Sequence, residues 1–378
     1  MGKIKTIKNQ RFLGHRKSDE CERVRCVRER SHARVQLRAH SHATGFSREL
    51  QKKGIFFTFI AITIMALFIL IYTPQADISF QKDTQAVKNR ISSINNYVSD
   101  LESSYFETVL RATTYKTILS LIFYINSTGS FINNLDPVFS EVMINGTINQ
   151  VQIDTITGKK IMDNNTLTNW SNRIIEAARD TSNVNTTIII NSVSVFQTKP
   201  WNIDSSLSLS FTVKSNVAEW NKSAIISTTI DIGGFYDPYY LINTNKAYTN
   251  QIKKSTVEFN QWNISKVREH LRNGTYVHWE NSDAPSFLMR FTNTITSSSC
   301  CGIESLVNPN KISSSDQIDS YVDYIFWNPA NNIPCNQLYN ITNPPTSLGL
   351  WDEFRYFKLD IDHVARYNIT SQYAVKTC

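Results

Sequence analysis

Residues 55–72 read IFFTFIAITIMALFILIY, and no charged side chain stands between Lys53 and Asp77. Twelve of these eighteen residues are Ile, Phe or Leu. As a helix the run spans about 27 Å, close to the hydrocarbon thickness of a bilayer. It is apolar on every face, broken only by Thr58 and Thr63, whereas a helix on a soluble core keeps one polar face. Insertion of those twelve residues gains about 6 kcal/mol at roughly −0.5 kcal/mol each. The sequence therefore predicts a transmembrane helix over 54–73. The exit, Thr73-Pro74-Gln75-Ala76-Asp77, puts proline where a secretory cleavage site needs small residues, so removal on that side is not expected.

Charge sets the direction. The chain has 378 residues and a net charge of +7, but residues 1–53 hold 15 Lys+Arg against 5 Asp+Glu, leaving 24 against 27 for the rest. The basic character belongs to the tail, which excludes a nucleic-acid-binding body for most of the protein. Counted over the nearest twenty residues the imbalance is small, with Arg38, Arg48, Lys52 and Lys53 before the run and Lys82, Lys88 and Arg90 after it. Over the whole short tail it is decisive, and it predicts a cytoplasmic N-terminus with about 300 residues outside, in the cell membrane as a single pass. All ten Asn-x-Ser/Thr sequons follow the run: Asn126, Asn145, Asn164, Asn169, Asn185, Asn221, Asn263, Asn273, Asn340 and Asn368. Of six cysteines, Cys300, Cys301, Cys335 and Cys378 lie on the same side and are disulfide candidates in an oxidising compartment. Three pairings are open. A bond between adjacent Cys300 and Cys301 is disfavoured sterically, so each is expected to bond Cys335 or Cys378.

The tail, 1–53, holds His15, Cys21, Cys26, His32, His40 and His42, but their spacing fits no zinc pattern. A solvated basic leader touching anionic lipid headgroups is the expectation.

Beyond Pro74 helical periodicity resumes at Ile78. Val87, Ile91, Ile94, Val98, Leu101 and Tyr105 are spaced 4, 3, 4, 3, 4, an apolar seam for packing against another helix. The seam stutters after Tyr105, and the amphipathic stalk helix is expected over 77–124. Its lower part suits an intermolecular contact and its upper part suits a globular head.

Two outer units follow. In 125–250, Asn165 or Thr166 caps a short helix reaching Ala178, and three strands come next over 186–196, 207–213 and 224–232. Leu207, Leu209, Phe211 and Val213 alternate with polar residues, as in a half-buried strand, and turns at Lys199-Pro200 and near Asn216 make an antiparallel meander. In 251–378, a helix over 263–271 ends at Gly274, and strands are expected over 276–279, 287–291, 321–327 and 354–359. The four outer cysteines all lie in this second unit.

No HExxH pair, GxSxG elbow, Walker loop or GxGxxG turn occurs. Asp360 and Asp362 would share a strand face with His363 pointing away, an ordinary surface cluster. Glu280, Asp283 and Glu304 read as isolated carboxylates, and only a fold that brought two carboxylates, or one and His278, into one cleft would favour hydrolysis. Tyr236, Tyr239, Tyr240, Trp262 and Trp279 would bind glycans if exposed. No catalytic residue, metal or cofactor is expected.

Lys52-Lys53-Gly54-Ile55-Phe56-Phe57-Thr58-Phe59 joins a basic pair and a glycine directly to the apolar run. In this the chain resembles the archaeal type IV pilin-like proteins. The resemblance implies that a prepilin-type peptidase cuts between Gly54 and Ile55, that the freed helices pack into a filament or homo-oligomer, and that the large head suits a minor or pseudopilin subunit. The expected fold class is α+β: a long N-terminal helix, membrane span plus amphipathic stalk, followed by an antiparallel β-rich extracellular head. The rival reading is an uncleaved, signal-anchored binding or adhesion protein, and an extracellular hydrolase comes third. The lipid bilayer and sister subunits are the expected partners, and nucleic acid is not.

Overall fold

The computed structural model describes the backbone of residues 50–312, 319–330, 332–342 and 354–378, and the side chains of these residues other than 50–56, 70 and 72–83. The tail with His15, Cys21, Cys26, His32, His40 and His42 lies outside the described residues, as do the side chains at the Gly54/Ile55 junction.

The first helix, α1 (Leu50–Asp100), runs through Pro74 without a break, so no helix end marks the exit expected there. The expected membrane span is not upheld either. Among the described residues, no helix is long and apolar enough to cross a membrane. The fold class is α+β with antiparallel sheets, and the N-terminal membrane-and-stalk helix is withdrawn from it. The chain divides into two units, Met1–Asp77 and Ile78–Cys378.

Within the second unit α1 passes through a π-helical turn, Leu101–Tyr105, into α2 (Phe106–Thr128), which Gly129 closes in the left-handed conformation. The wide turn explains the stutter. Leu101 and Phe106 are five residues apart, out of phase on an α-helix, yet the Phe106 N–H bonds the Leu101 carbonyl and both side chains are buried. One extra residue in the turn thus carries the apolar face of Ile94, Val98 and Leu101 on into Phe106, Val109 and Leu110.

Short elements follow: α3 (Leu135–Asn145), the hairpin β1 (Thr147–Ile148) and β2 (Val151–Gln152), and α4 (Ile153–Thr157). Helix α5 (Leu167–Ser182) starts at Thr166, whose hydroxyl accepts from the Asn169 N–H, and it buries Ile174 and Ala178. Then come the three long strands of one antiparallel meander, β3 (Asn185–Lys199), β4 (Asn202–Lys214) and β5 (Glu219–Asp231), in the order β3-β4-β5. Every second residue of β4 from Ile203 to Val213 is buried, as the alternation predicts. Helix α2 packs on that inner face, with Phe106 edge-on to Phe211 at 5.4 Å. Each such fully buried side chain stabilises by about 1.5–3 kcal/mol.

The rest is loop-rich. Asp237 accepts from the Tyr239 N–H to start α6 (Pro238–Asn243), and Asn263 caps α7 (Ile264–Asn273), closed by left-handed Gly274. Strands β6 (Tyr276–Val277) and β7 (Glu304–Ser305) pair, followed by α8 (Asp323–Phe326). A second small sheet joins β8 (Leu338–Ile341), β9 (Lys358–Asp360) and, after α9 (Ile361–Arg366), β10 (Ala374–Lys376), in the order β10-β8-β9. Several strand expectations fail here. Residues 321–327 contain a helix, 287–291 a 3₁₀ turn, and 276–279 and 354–359 are strand only at 276–277 and 358–359. Short, mostly apolar runs with a single polar residue such as Arg290 or Asp323 show no period that separates strand from helix.

Candidate functional site

Arg290, in the turn Leu288–Phe291, is wholly buried, and its surroundings are built around its charge. Its Nη1 donates to Asp237 Oδ2 at 2.6 Å and to Asp323 Oδ2 at 2.8 Å, and its Nη2 donates to the Ile303 carbonyl. Tyr276 donates to Asp237 at 2.8 Å, and Ser305 donates to Asp323 through both its N–H and its hydroxyl. The Tyr239 and Tyr276 rings lie 4.8 and 5.6 Å from the guanidinium carbon. Burial raises Asp323 above the usual carboxylate range although Arg290 pulls the other way. Burial opposes the charge on Arg290, but the two carboxylates hold it firmly protonated. This is a rivet joining α6, α8 and the loop before β7.

A second buried network lies at Glu304. His363 Nε2 stands 3.2 Å from Glu304 Oε2, and its Nδ1 stands 2.7 and 2.8 Å from the Asp360 oxygens. Trp279 and Tyr367 donate to Glu304 Oε1 at 2.8 and 3.0 Å. Asp360 ends β9 and caps α9, accepting the His363 N–H at 3.1 Å. The expected strand with His363 facing away is therefore wrong: a helical turn puts positions i and i+3 on the same side, and Asp362 is left exposed. Glu280 and Asp283 are exposed and take no part.

The electrostatics decide what this network can do. Burial alone would lower His363, but the Glu304 charge and the Asp360 hydrogen bond outweigh it and push the imidazole up to about 10. Burial would raise Asp360, yet His363 brings it down to about 2. Glu304 ends below its usual range for the same reason, with Arg366 and Trp279 assisting. An imidazolium that donates from both nitrogens has no lone pair for a general base, so two carboxylates and a histidine here form a clamp rather than an acid–base pair. Beside it lies a cavity of about 400 Å³, lined by Asp360, His363, Tyr324 and Arg366 among others. His270, whose ring lies 5.9 Å from that of Tyr367, is driven down to about 4 by burial, against Glu304, and its Nδ1 is paired with Thr275. Among the described residues no group of His, Cys, Asp and Glu is arranged to hold a metal ion.

The third feature is apolar. Phe57, Phe59, Ile62, Ile64, Met65, Leu67, Phe68, Ile69 and Ile71 are each 50–71% exposed along α1. The seam behind them behaves differently. Ile94, Val98 and Leu101 are buried in the chain's own core, Ile91 is half-buried, and Val87 and Tyr105 remain exposed. Asn95 accepts from the Trp220 indole at 2.6 Å, and Arg90 donates to the Ser182 carbonyl at 2.9 Å, so this stretch is fastened to β5 and α5.

All four candidate cysteines are disulfide-bonded, but as Cys300–Cys301 and Cys335–Cys378. The expected long-range partners of Cys300 and Cys301 are corrected: their Cα atoms are 3.7 Å apart, and the ring closes within one dipeptide. None of the ten sequon asparagines is buried. Tyr239, Tyr240, Trp262 and Trp279 are buried and form no glycan platform, and Tyr236 is half-buried.

No family model, no curated protein and no solved structure matches this chain.

Sequence reading missed Arg290 and its partners. The available signal was a lone arginine inside Phe287-Leu288-Met289-Arg290-Phe291, together with the Asp237-Pro238 helix start.

Proposed function

We propose that the chain is a pilin-like surface subunit that assembles by packing the apolar residues 57–71 of one copy against those of others, leaving residues 78–378 on display. The observation that carries this is the set of nine apolar side chains in that stretch, each at least half exposed, on one helix. Contiguous apolar surface of this size marks an interaction site. Two disulfides fit an oxidising compartment, hence the cell surface. The seam has no role in assembly, because its central residues are already used internally. A binding and assembly role is preferred to catalysis because His363, the centre of the strongest acid–base constellation, is locked as a cation.

The test is mass spectrometry of the native N-terminus combined with crosslinking through 57–71. Expected are a mature chain starting at Ile55 and inter-chain crosslinks confined to that stretch. An intact leader in cells that contain the peptidase, or a chain that partitions into lipid vesicles as a crosslink-free monomer, would refute it.

A further inference from the structure

Between the start of β4 and the loop before α7 lies a cavity of about 220 Å³ whose walls include Trp201, Lys254, Phe259, His278 and Trp279. It shares Tyr276 and Trp279 with the charged networks, but the chemistry of its lining is of another kind. Of its ten lining residues, four are Trp or Phe and only Lys254 carries a charge. Phe259 is 77% exposed, an unusual state for a phenyl ring, and it meets the Trp279 ring edge-on at 5.5 Å. The Lys254 ammonium stands 5.5 Å from the centroid of the half-buried Trp201 ring.

His278 supplies a directed polar group. Its Nδ1 is 2.6 Å from the Gly302 carbonyl. A carbonyl only accepts, so Nδ1 carries the hydrogen in this contact, and Nε2 is left as the ring's other polar atom. The support for that carbonyl is rigid. Gly302 follows the Cys300–Cys301 bond directly, and a Cβ there would collide with the Ala284 carbonyl oxygen. The adjacent-cysteine ring thus helps to hold the acceptor in place.

We propose that this cavity binds one acidic sugar residue, a pyranose bearing a carboxylate. The C–H face of a pyranose packs on the half-buried Trp201 indole or the exposed Phe259 ring, its hydroxyl hydrogen-bonds with His278 Nε2, and its carboxylate pairs with Lys254. The volume suits a single ring and is too small for a drug-sized ligand, whose pockets begin at about 300 Å³. This binding is independent of assembly through residues 57–71.

The test is calorimetric titration of the full-length protein with sodium D-glucuronate, D-glucose and sodium benzoate. Glucuronate is expected to bind saturably, at least tenfold more tightly than either of the others. Trp201→Ala and Lys254→Gln should each weaken it at least tenfold, while Trp170→Ala, whose ring stacks on Arg173 elsewhere, leaves it unchanged. Lys254→Gln keeps the test valid if Trp201→Ala unfolds. No saturable binding of glucuronate, equal binding of glucose, tighter binding of benzoate, or indifference to Lys254→Gln would each overturn the assignment.

Discussion

Arg290 shows how a single buried charge can organise a loop-rich region. Its guanidinium is shared by two carboxylates that have no solvent. Arg290→Met should therefore cost about 3–5 kcal/mol, because it leaves Asp237 and Asp323 buried without a counter-charge. Adding Asp237→Asn and Asp323→Asn to that variant should recover most of the loss, since Asn still caps α6 and no bare charge remains; thermal unfolding of the single and triple variants checks both. His363 makes a prediction with a definite sign. Its pKa is raised in the fold to about 10, so its contribution is complete below its unfolded value near 6.5 and is lost as pH rises toward 10. Between pH 6.5 and 9 stability should fall by up to about 1.4 kcal/mol per pH unit. Asp360 acts in the opposite direction: its contribution is present above about pH 4 and disappears as pH falls through about 2. Urea midpoints at pH 6, 7.5 and 9 should show the alkaline slope in the wild type and a flat profile in His363→Gln.

Among the elements, the α1–π–α2 connection gives the sharpest test. The π turn accommodates one more residue than an α-helix would place between Leu101 and Phe106. Deleting exposed Ser103 puts those two residues four apart, still on one face, so the helix should straighten with less than about 1 kcal/mol lost. Inserting an alanine at the same place rotates Phe106, Val109 and Leu110 by about 100° off the core, and burial worth several kcal/mol should go with it. Equal effects of the deletion and the insertion on the denaturation midpoint would contradict this account. The same elements show what a sequence discloses. The meander was legible because strict alternation in β4 matches the two-residue period of a sheet, and α5 and α7 were legible because Thr166, Asn263 and Gly274 mark their ends locally. The span from 321 to 327 was not, because a run whose one charged residue is Asp323 shows no alternation that separates strand from helix. The two charged networks were not legible either: Arg290 lies 53 residues from Asp237, and His363 lies 59 from Glu304, distances at which only the fold makes neighbours. The apolar run at 55–72 was read from its composition as a membrane span, whereas among the described residues no helix is long and apolar enough to cross a membrane.

For the molecule as a whole, the two disulfides stabilise by very different amounts although each is one bond. In the chain-entropy account a cross-link acts on the unfolded ensemble, and its effect grows with the logarithm of the loop it closes. Cys335–Cys378 spans a sequence separation of 43 and fastens the last residue of the chain to the turn before β8. Its removal as Cys335→Ser with Cys378→Ser should cost about 4 kcal/mol. Cys300–Cys301 joins neighbours, so the unfolded chain loses almost no freedom to it, and its work is local, at Gly302 and His278. The double variant Cys300→Ser with Cys301→Ser should leave the unfolding free energy from guanidinium titration within about 1 kcal/mol of wild type. The two pairs should thus separate cleanly: the distant pair sets global stability, and the adjacent pair leaves it intact while weakening glucuronate binding at the neighbouring cavity. If removing the adjacent pair unfolded the protein as readily as removing the distant one, loop entropy would not be what distinguishes them, and the adjacent ring would have to be a structural support for the region of Arg290 and Glu304.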